Sequence, residues 1–248
     1  MYIIMDLDDT LLNKKRELTK FSKSILDRLK EDGHIIVINT ARSFDATKLV
    51  IEELNPDYSI MNGGALITKD NKIIYSNPVD NKKTNEIIKE LLENNVEEFS
   101  VECEKGLYCN LKEYSMKNPN ATYFDYTNEF QYNAYKILMC SNDGILPNYL
   151  AKKYNLDITH YVNGPWYRLS VCTKQDGNLA LYNILNDNDP KSICFGDDLG
   201  DIEMLENATV GVALSNSVEK VLEKISIKTK YNHDEDGVAK FLEEYFNL

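Results

Sequence analysis

Apolar segments of four to six residues alternate along much of this chain with longer segments of helical period, a pattern that restricts the fold to α/β layers around a mostly parallel sheet. Tyr2 to Met5 reads as a buried strand, and Leu18, Phe21, Ile25 and Leu29 mark one face of the helix that follows. His34 to Ile38 is a second buried strand, and a helix is expected from about Ser43 to Leu54. The alternation returns late: helix from Gly177 to Leu185, strand from Ser192 to Phe195, helix from Ile202 to Leu205, strand from Thr209 to Leu214, and a last amphipathic helix from Gly237 to Phe246. Between these halves Lys69-Asp70-Asn71-Lys72 is hairpin-like, and from about Asn81 the chain turns rich in Tyr and Asn. Residues 1–79 and 166–248 are therefore expected to form the core, and 80–165 an inserted α+β domain with a helix near Thr84 to Leu92 and a strand near Tyr135 to Met139.

With 248 residues, 43% of them hydrophobic, the chain is long enough for a buried core plus one insertion. The 28 Lys and Arg against 40 Asp and Glu give a net charge of −12, and the longest basic run is Lys14-Lys15-Arg16. That balance lacks the electrostatic footprint of a protein that grips nucleic acid or an anionic membrane, so an anionic substrate must be held locally. No apolar stretch approaches the length of a membrane span, and the acids that follow the first apolar run are unlike a signal peptide or an anchor. Five cysteines without a Cys-x-x-Cys pair support neither a disulfide framework nor a zinc site, and a reducing cytoplasm is the expected location.

The first strand runs into Asp6-Leu7-Asp8-Asp9-Thr10, and ligands of open α/β sheets bind at the carboxyl ends of strands. Asp9 is explained by capping the next turn. Asp6 is not, because a charge directly after four apolar strand residues calls for a neutralising cation. A second cluster, Gly196-Asp197-Asp198-Leu199-Gly200-Asp201, follows the strand from Ser192. If both strands are central, Asp6, Asp8, Asp197 and Asp201 converge, and hard oxygen ligands in that number suit Mg²⁺; a calcium loop would need a different spacing. The second strand ends in Asn39-Thr40-Ala41-Arg42, where the Thr40 hydroxyl and the backbone N–H groups from Ala41 onward suit a phosphate oxygen. Thr173-Lys174 places a cation where the core is re-entered.

This ordered set, Asp6-x-Asp8-x-Thr10, Thr40, Lys174 and Gly196-Asp197-x-x-x-Asp201, resembles the haloacid dehalogenase superfamily, in particular its Cof-type phosphatases with a C2-type (type IIB) cap. Asn62-Gly63-Gly64-Ala65, Gly211 to Asn216 and Asp236-Gly237-Val238-Ala239 extend the resemblance over nearly the whole chain. In two places the chain departs from common patterns: Ala41 stands where relatives have Gly, and Lys174 lies three residues before Gly177. The resemblance implies a Rossmann-like core with a specificity cap; a site at an open sheet edge needs a lid, and Pro78 and Gly164-Pro165 suit the joints through which the cap is expected to close. It implies Asp6 as nucleophile, Asp8 as general acid and base, and Thr40, Ala41 and Lys174 on the phosphoryl oxygens. Mg²⁺ would sit on Asp6, the Asp8 carbonyl and Asp197, with Asp198 and Asp201 behind them. The implied activity is hydrolysis of small phosphorylated metabolites, sugar phosphates above all, by a monomer or weak homodimer. A phosphomannomutase-type enzyme and a receiver-like signalling domain are the alternatives; the second acid cluster and the chain length speak against the receiver.

Overall fold

Tyr2–Met5 is buried at every residue, which requires strands on both sides and cover over both faces. In this computed structural model, which describes residues 1–161 and 164–248, it pairs in parallel with Ile35–Asn39 on one side and Ser192–Gly196 on the other. Among the described residues the sheet has eight strands, in the order Ile227–Lys228, Val210–Ala213, Ser192–Gly196, Tyr2–Met5, Ile35–Asn39, Tyr58–Met61, Leu66–Lys69, Lys72–Ser76. The pairs are parallel as far as Tyr58–Met61, and Leu66–Lys69 then runs antiparallel. Asp70 and Asn71 join the last two strands with φ of 49° and 58°, the left-handed pair that a tight hairpin turn requires.

Side chains alternate between the two faces of this sheet. Tyr2, Ile4, Val37, Ile60 and Cys194 pack with Leu181 and Tyr182 of the helix Lys174–Ile184 and with Met204 and Leu205 of Ile202–Glu206. Phe195, one residue out of step, meets Phe241 of the helix Gly237–Phe246 edge to face at 5.5 Å, and that helix packs along Lys20–Glu31. Truncating a fully buried Ile3 or Ile4 to Ala in such a layer costs about 2–5 kcal/mol.

Helix starts follow local chemistry. Thr19 and Ser43 accept the N–H groups of Ser22 and Ala46 at the heads of Lys20–Glu31 and Phe44–Leu54. The helix expected from Gly177 begins instead at Lys174, because Thr173 and Asp176 cap it reciprocally.

The chain divides into two compact units, Met1–Tyr75 with Thr173–Leu248, and Ser76–Cys172. In the second, among the described residues, six strands lie in the order Asp157–His160, Trp166–Ser170, Ala134–Cys140, Phe99–Cys103, Gly106–Cys109, Ala121–Tyr123. The helices Asn81–Glu93 and Ile145–Tyr154 share its apolar cluster through Ile87, Ile88, Leu91, Leu150 and Ala151. Residues 166–172, assigned to the core from sequence, belong to this unit: Trp166–Ser170 pairs with Ala134–Cys140 on one side and Asp157–His160 on the other. Gly164-Pro165 read as a joint because Gly and Pro mark turns, but the turn they mark lies between two strands of one sheet. The other joint, expected near Pro78, falls close by at the Tyr75–Ser76 boundary, so residues 76–79 also belong to this unit. Tyr108, Tyr126 and Tyr132 join Phe124 and Phe130 in a network of ring contacts, whereas Tyr123 is exposed.

Among the described residues no helix is long and apolar enough to cross a membrane, and the five cysteines are free thiols.

Candidate active site

Three adjacent parallel strands end at Met5, Asn39 and Gly196, and the next residue of each is Asp6, Thr40 or Asp197. All three are buried. Lys174 joins them from the first position of its helix, tied down by Asn39, whose Nδ2 donates to the Lys174 carbonyl and to Asn178 Oδ1, each at 2.8 Å. The helix can come this close because two glycines meet: a Cβ on Gly64 would lie 2.0 Å from the Thr173 carbonyl oxygen, and one on Gly177 2.8 Å from Gly64 Cα. The Asn62-Gly63-Gly64 motif and the offset Gly177 thus serve one contact, which sets Lys174 at the strand ends.

Lys174 Nζ lies 3.1 Å from Asp6 Oδ1 and 2.5 Å from Asp201 Oδ1. The cation that Asp6 demands is therefore this ammonium. The other Asp201 oxygen accepts the N–H groups of Asp197 and Asp198 at 3.0 and 3.1 Å, and Thr10 Oγ1 donates to Asp197 Oδ1 at 2.5 Å. Asp6, Asp197 and Asp201 each place a carboxylate oxygen within 4.8 Å of the others. Asp201, expected behind the metal ligands, is thus inside the acid cluster, and Asp198, half-buried, caps the following turn through the Leu199 N–H at 2.7 Å.

One Lys cannot balance three buried acids. Burial pushes the Asp197 carboxyl up to about 8, with Asp201 adding to the shift. Burial also drives Asp6 up, to about 6, against the pull of Lys174. For Lys174 burial disfavours the ammonium, but Asp201 and Asp6 outweigh it and hold the proton more firmly than usual. Asp6 Oδ1 completes no hydrogen bond although it is buried. An oxygen-only cluster with surplus negative charge and an orphaned carboxylate oxygen fits a hard divalent cation such as Mg²⁺.

The Asp8 carboxylate takes no part in this cluster. Arg42 grips it with two prongs, Nε to Oδ2 at 2.8 Å and Nη2 to Oδ1 at 2.5 Å. Burial alone would raise its pKa, yet Arg42 wins and holds it below the usual carboxylate range. Thr40 Oγ1 accepts the Arg42 N–H at 3.3 Å, and Ala41 is half-buried at the turn between them. The sequence shows Arg42 only as the residue two after Thr40, and nothing in that spacing points to Asp8.

A fold of this kind with acids at the ends of adjacent parallel strands and a lysine from a later helix defines a phosphoryl-transfer class, and the comparisons agree. The chain belongs to the haloacid dehalogenase-like hydrolases, whose family model matches residues 3–242. Within that family it is a Cof-type phosphatase. YitU of Bacillus subtilis (strain 168), a 5-amino-6-(5-phospho-D-ribitylamino)uracil phosphatase, is 26% identical over 270 residues, covering 99% of this chain and 97% of its own. A haloacid dehalogenase-like hydrolase from B. subtilis has the same fold, with a TM-score of 0.82 at 22% identity over 98% of both chains. BT1666, a phosphatase of this superfamily from Bacteroides thetaiotaomicron, gives 0.84 at 19% identity over 100% of this chain and 95% of its own.

Proposed function

We propose that the enzyme hydrolyses phosphate monoesters of small sugars and sugar alcohols, with Mg²⁺ and through an aspartyl-phosphate on Asp6. Asp6 Oδ1 carries the reading: a buried oxygen at a strand end, beside an ammonium at 3.1 Å and without a hydrogen bond of its own. That oxygen attacks phosphorus as the bond to the alcohol oxygen breaks, and water later cleaves the acyl phosphate, which divides one hard step into two. Lys174, the Thr40 hydroxyl and the Ala41 N–H bind the phosphoryl oxygens as charge builds on them. Asp8 gives a proton to the leaving alcohol and takes one from the attacking water. To do so it must leave Arg42, whose planar fork matches a phosphate as well as it matches a carboxylate. Mg²⁺, held by Asp6, Asp197 and the Asp8 carbonyl, would neutralise the approach of an anionic nucleophile to an anionic ester.

The strand-end residues account for the phosphoryl group alone, so selectivity for the alcohol is assigned to the inserted unit. The activity in YitU's name concerns a phosphorylated ribityl chain, which supports sugars and sugar alcohols as the class. A panel of phosphate esters assayed with Mg²⁺ and with chelator tests this. Turnover confined to nucleotides or phosphoproteins would overturn the substrate class, and a requirement for a bisphosphorylated hexose would point to a mutase. Asp6→Asn is expected to abolish turnover and the acid-stable label from a ³²P-ester while leaving the fold intact.

A further inference from the structure

His233 is buried, 7% exposed, and neither ring nitrogen has a hydrogen-bond partner. The group its Nε2 faces is the Asp9 carboxylate, 3.4 Å away and itself 66% exposed. Asp9, expected to cap a turn, is instead the left-handed residue of the loop that carries Asp6, Asp8 and Thr10, with φ of 54° and ψ of 12°. Asp is among the few residues with a Cβ that adopt this region as single residues, helped by local hydrogen bonds. Asn216 does part of this: its Nδ2 donates to the Asp9 carbonyl at 2.8 Å, and its Oδ1 accepts the His233 N–H at 3.0 Å. The segment is anchored in turn to the chain beyond the loop, where the Lys14 N–H donates to Asp234 Oδ1 at 3.2 Å, and Thr19 and Ser22 donate to Asp236 Oδ1.

We infer that His233 is a positioning residue for phosphoryl transfer: its ring holds the Asp9 carboxylate and, through the left-handed turn at Asp9, fixes where Asp8 and Thr10 stand. Asp8 precedes this turn and Thr10, which bonds Asp197, follows it, so a relaxed Asp9 rotates both neighbours at once. Asn216 and the stretch before Gly237, prominent in the sequence and idle in the chemistry, gain a joint role as the brace of the loop. The inference rests on the proposed roles of Asp6 and Asp8.

The test compares His233→Leu, His233→Gln, Asp9→Asn and the double variant Asp9→Asn/His233→Leu, with p-nitrophenyl phosphate and Mg²⁺. Gln sets an amide where the imidazole Nε2 stands, and Asp9 is exposed enough to be changed without endangering the fold. His233→Leu should lose about 10-fold in kcat with KM moved by less than about 2-fold, as expected when a contacting pair acts on the transition state and not on binding. His233→Gln should recover most of the loss, Asp9→Asn should reproduce it, and the double variant should be no worse than His233→Leu. Wild-type kcat in His233→Leu, no rescue by Gln, or losses that multiply in the double variant would overturn the inference. The His233 ring resonances should shift on Asp9→Asn whether or not the enzyme turns over, and unmoved resonances would also overturn it. Failure of the underlying roles shows separately, as activity retained in Asp6→Asn.

Discussion

Arg42 holds the Asp8 carboxylate in a two-pronged pair at 2.8 and 2.5 Å, so this acid is kept in its charged form. Its native pKa is depressed, hence the stability it adds is present above the unfolded value of about 4 and is lost as pH falls through the lower native value. Arg42→Ala should therefore move the Asp8 titration upward, seen by carboxyl ¹³C shifts. The effect on acid unfolding should be small, because the Asp8 side chain is 43% exposed and the pair is screened. An unmoved titration would show that Arg42 does not control this group.

The acid cluster has the opposite sign. Burial raises Asp6 to about 6 and Asp197 to about 8, so both bind a proton more tightly in the folded protein than in the unfolded chain. Their contribution to stability is present below about pH 4 and is lost as pH rises through the native values. Thermal melts of metal-free protein should show this loss between about pH 5 and pH 8, and Mg²⁺ should raise Tm more at the upper end, since a cation favours the ionised acids. A Mg²⁺ shift that is largest at the acid end would contradict the assignment.

Lys174→Met leaves Asp6 and Asp201 buried without their shared counter-charge. Removing one partner of a buried pair costs about 3–5 kcal/mol, which urea denaturation will measure. Adding Asp201→Asn should return part of the stability without restoring turnover. Equal stability of the single and double variants would mean that the charges are not what Lys174 balances.

Gly177→Ala sets two effects against each other. Ala gains about 1 kcal/mol over Gly inside a helix. Its Cβ, however, would lie 2.5 Å from Ile60 Cγ2 and 2.8 Å from Gly64 Cα, and such overpacking costs about 1–3 kcal/mol. The Gly64 backbone cannot swing aside as a side-chain tip does, so the variant should melt lower and lose activity as Lys174 shifts. A higher Tm with full activity would show that the contact relaxes freely.

What the sequence disclosed was local. Tyr2–Met5, Ile35–Asn39 and Ser192–Gly196 were legible because they are buried on both faces and read as unbroken apolar runs, and the acids after them were conspicuous against those runs. Gly237–Phe246 was legible from its helical period. The pairing of Arg42 with Asp8 was not, since nothing in the spacing of residues 34 positions apart tells which acid a cation will face. Thr173-x-x-Asp176 carries the signal for the true helix start, whereas Gly177 resembles a beginning and is a contact point. Residues 166–172 were misplaced for a related reason: a Gly-Pro pair marks a turn equally well within a sheet or between units.

The central place of Tyr2–Met5, between Ile35–Asn39 and Ser192–Gly196, sets an order of events during translation. One edge of this strand finds its partner early. The other stays open until the ribosome reaches residue 192, a wait of roughly 10–40 s at synthesis rates of about 5–20 residues per second. All of Ser76–Cys172 is made within that interval, so its own sheet can begin to form while the larger one is still half built. Asp6 is thus among the first residues made and among the last to be placed, and a chain interrupted before Asp201 carries its proposed nucleophile on an unfinished edge.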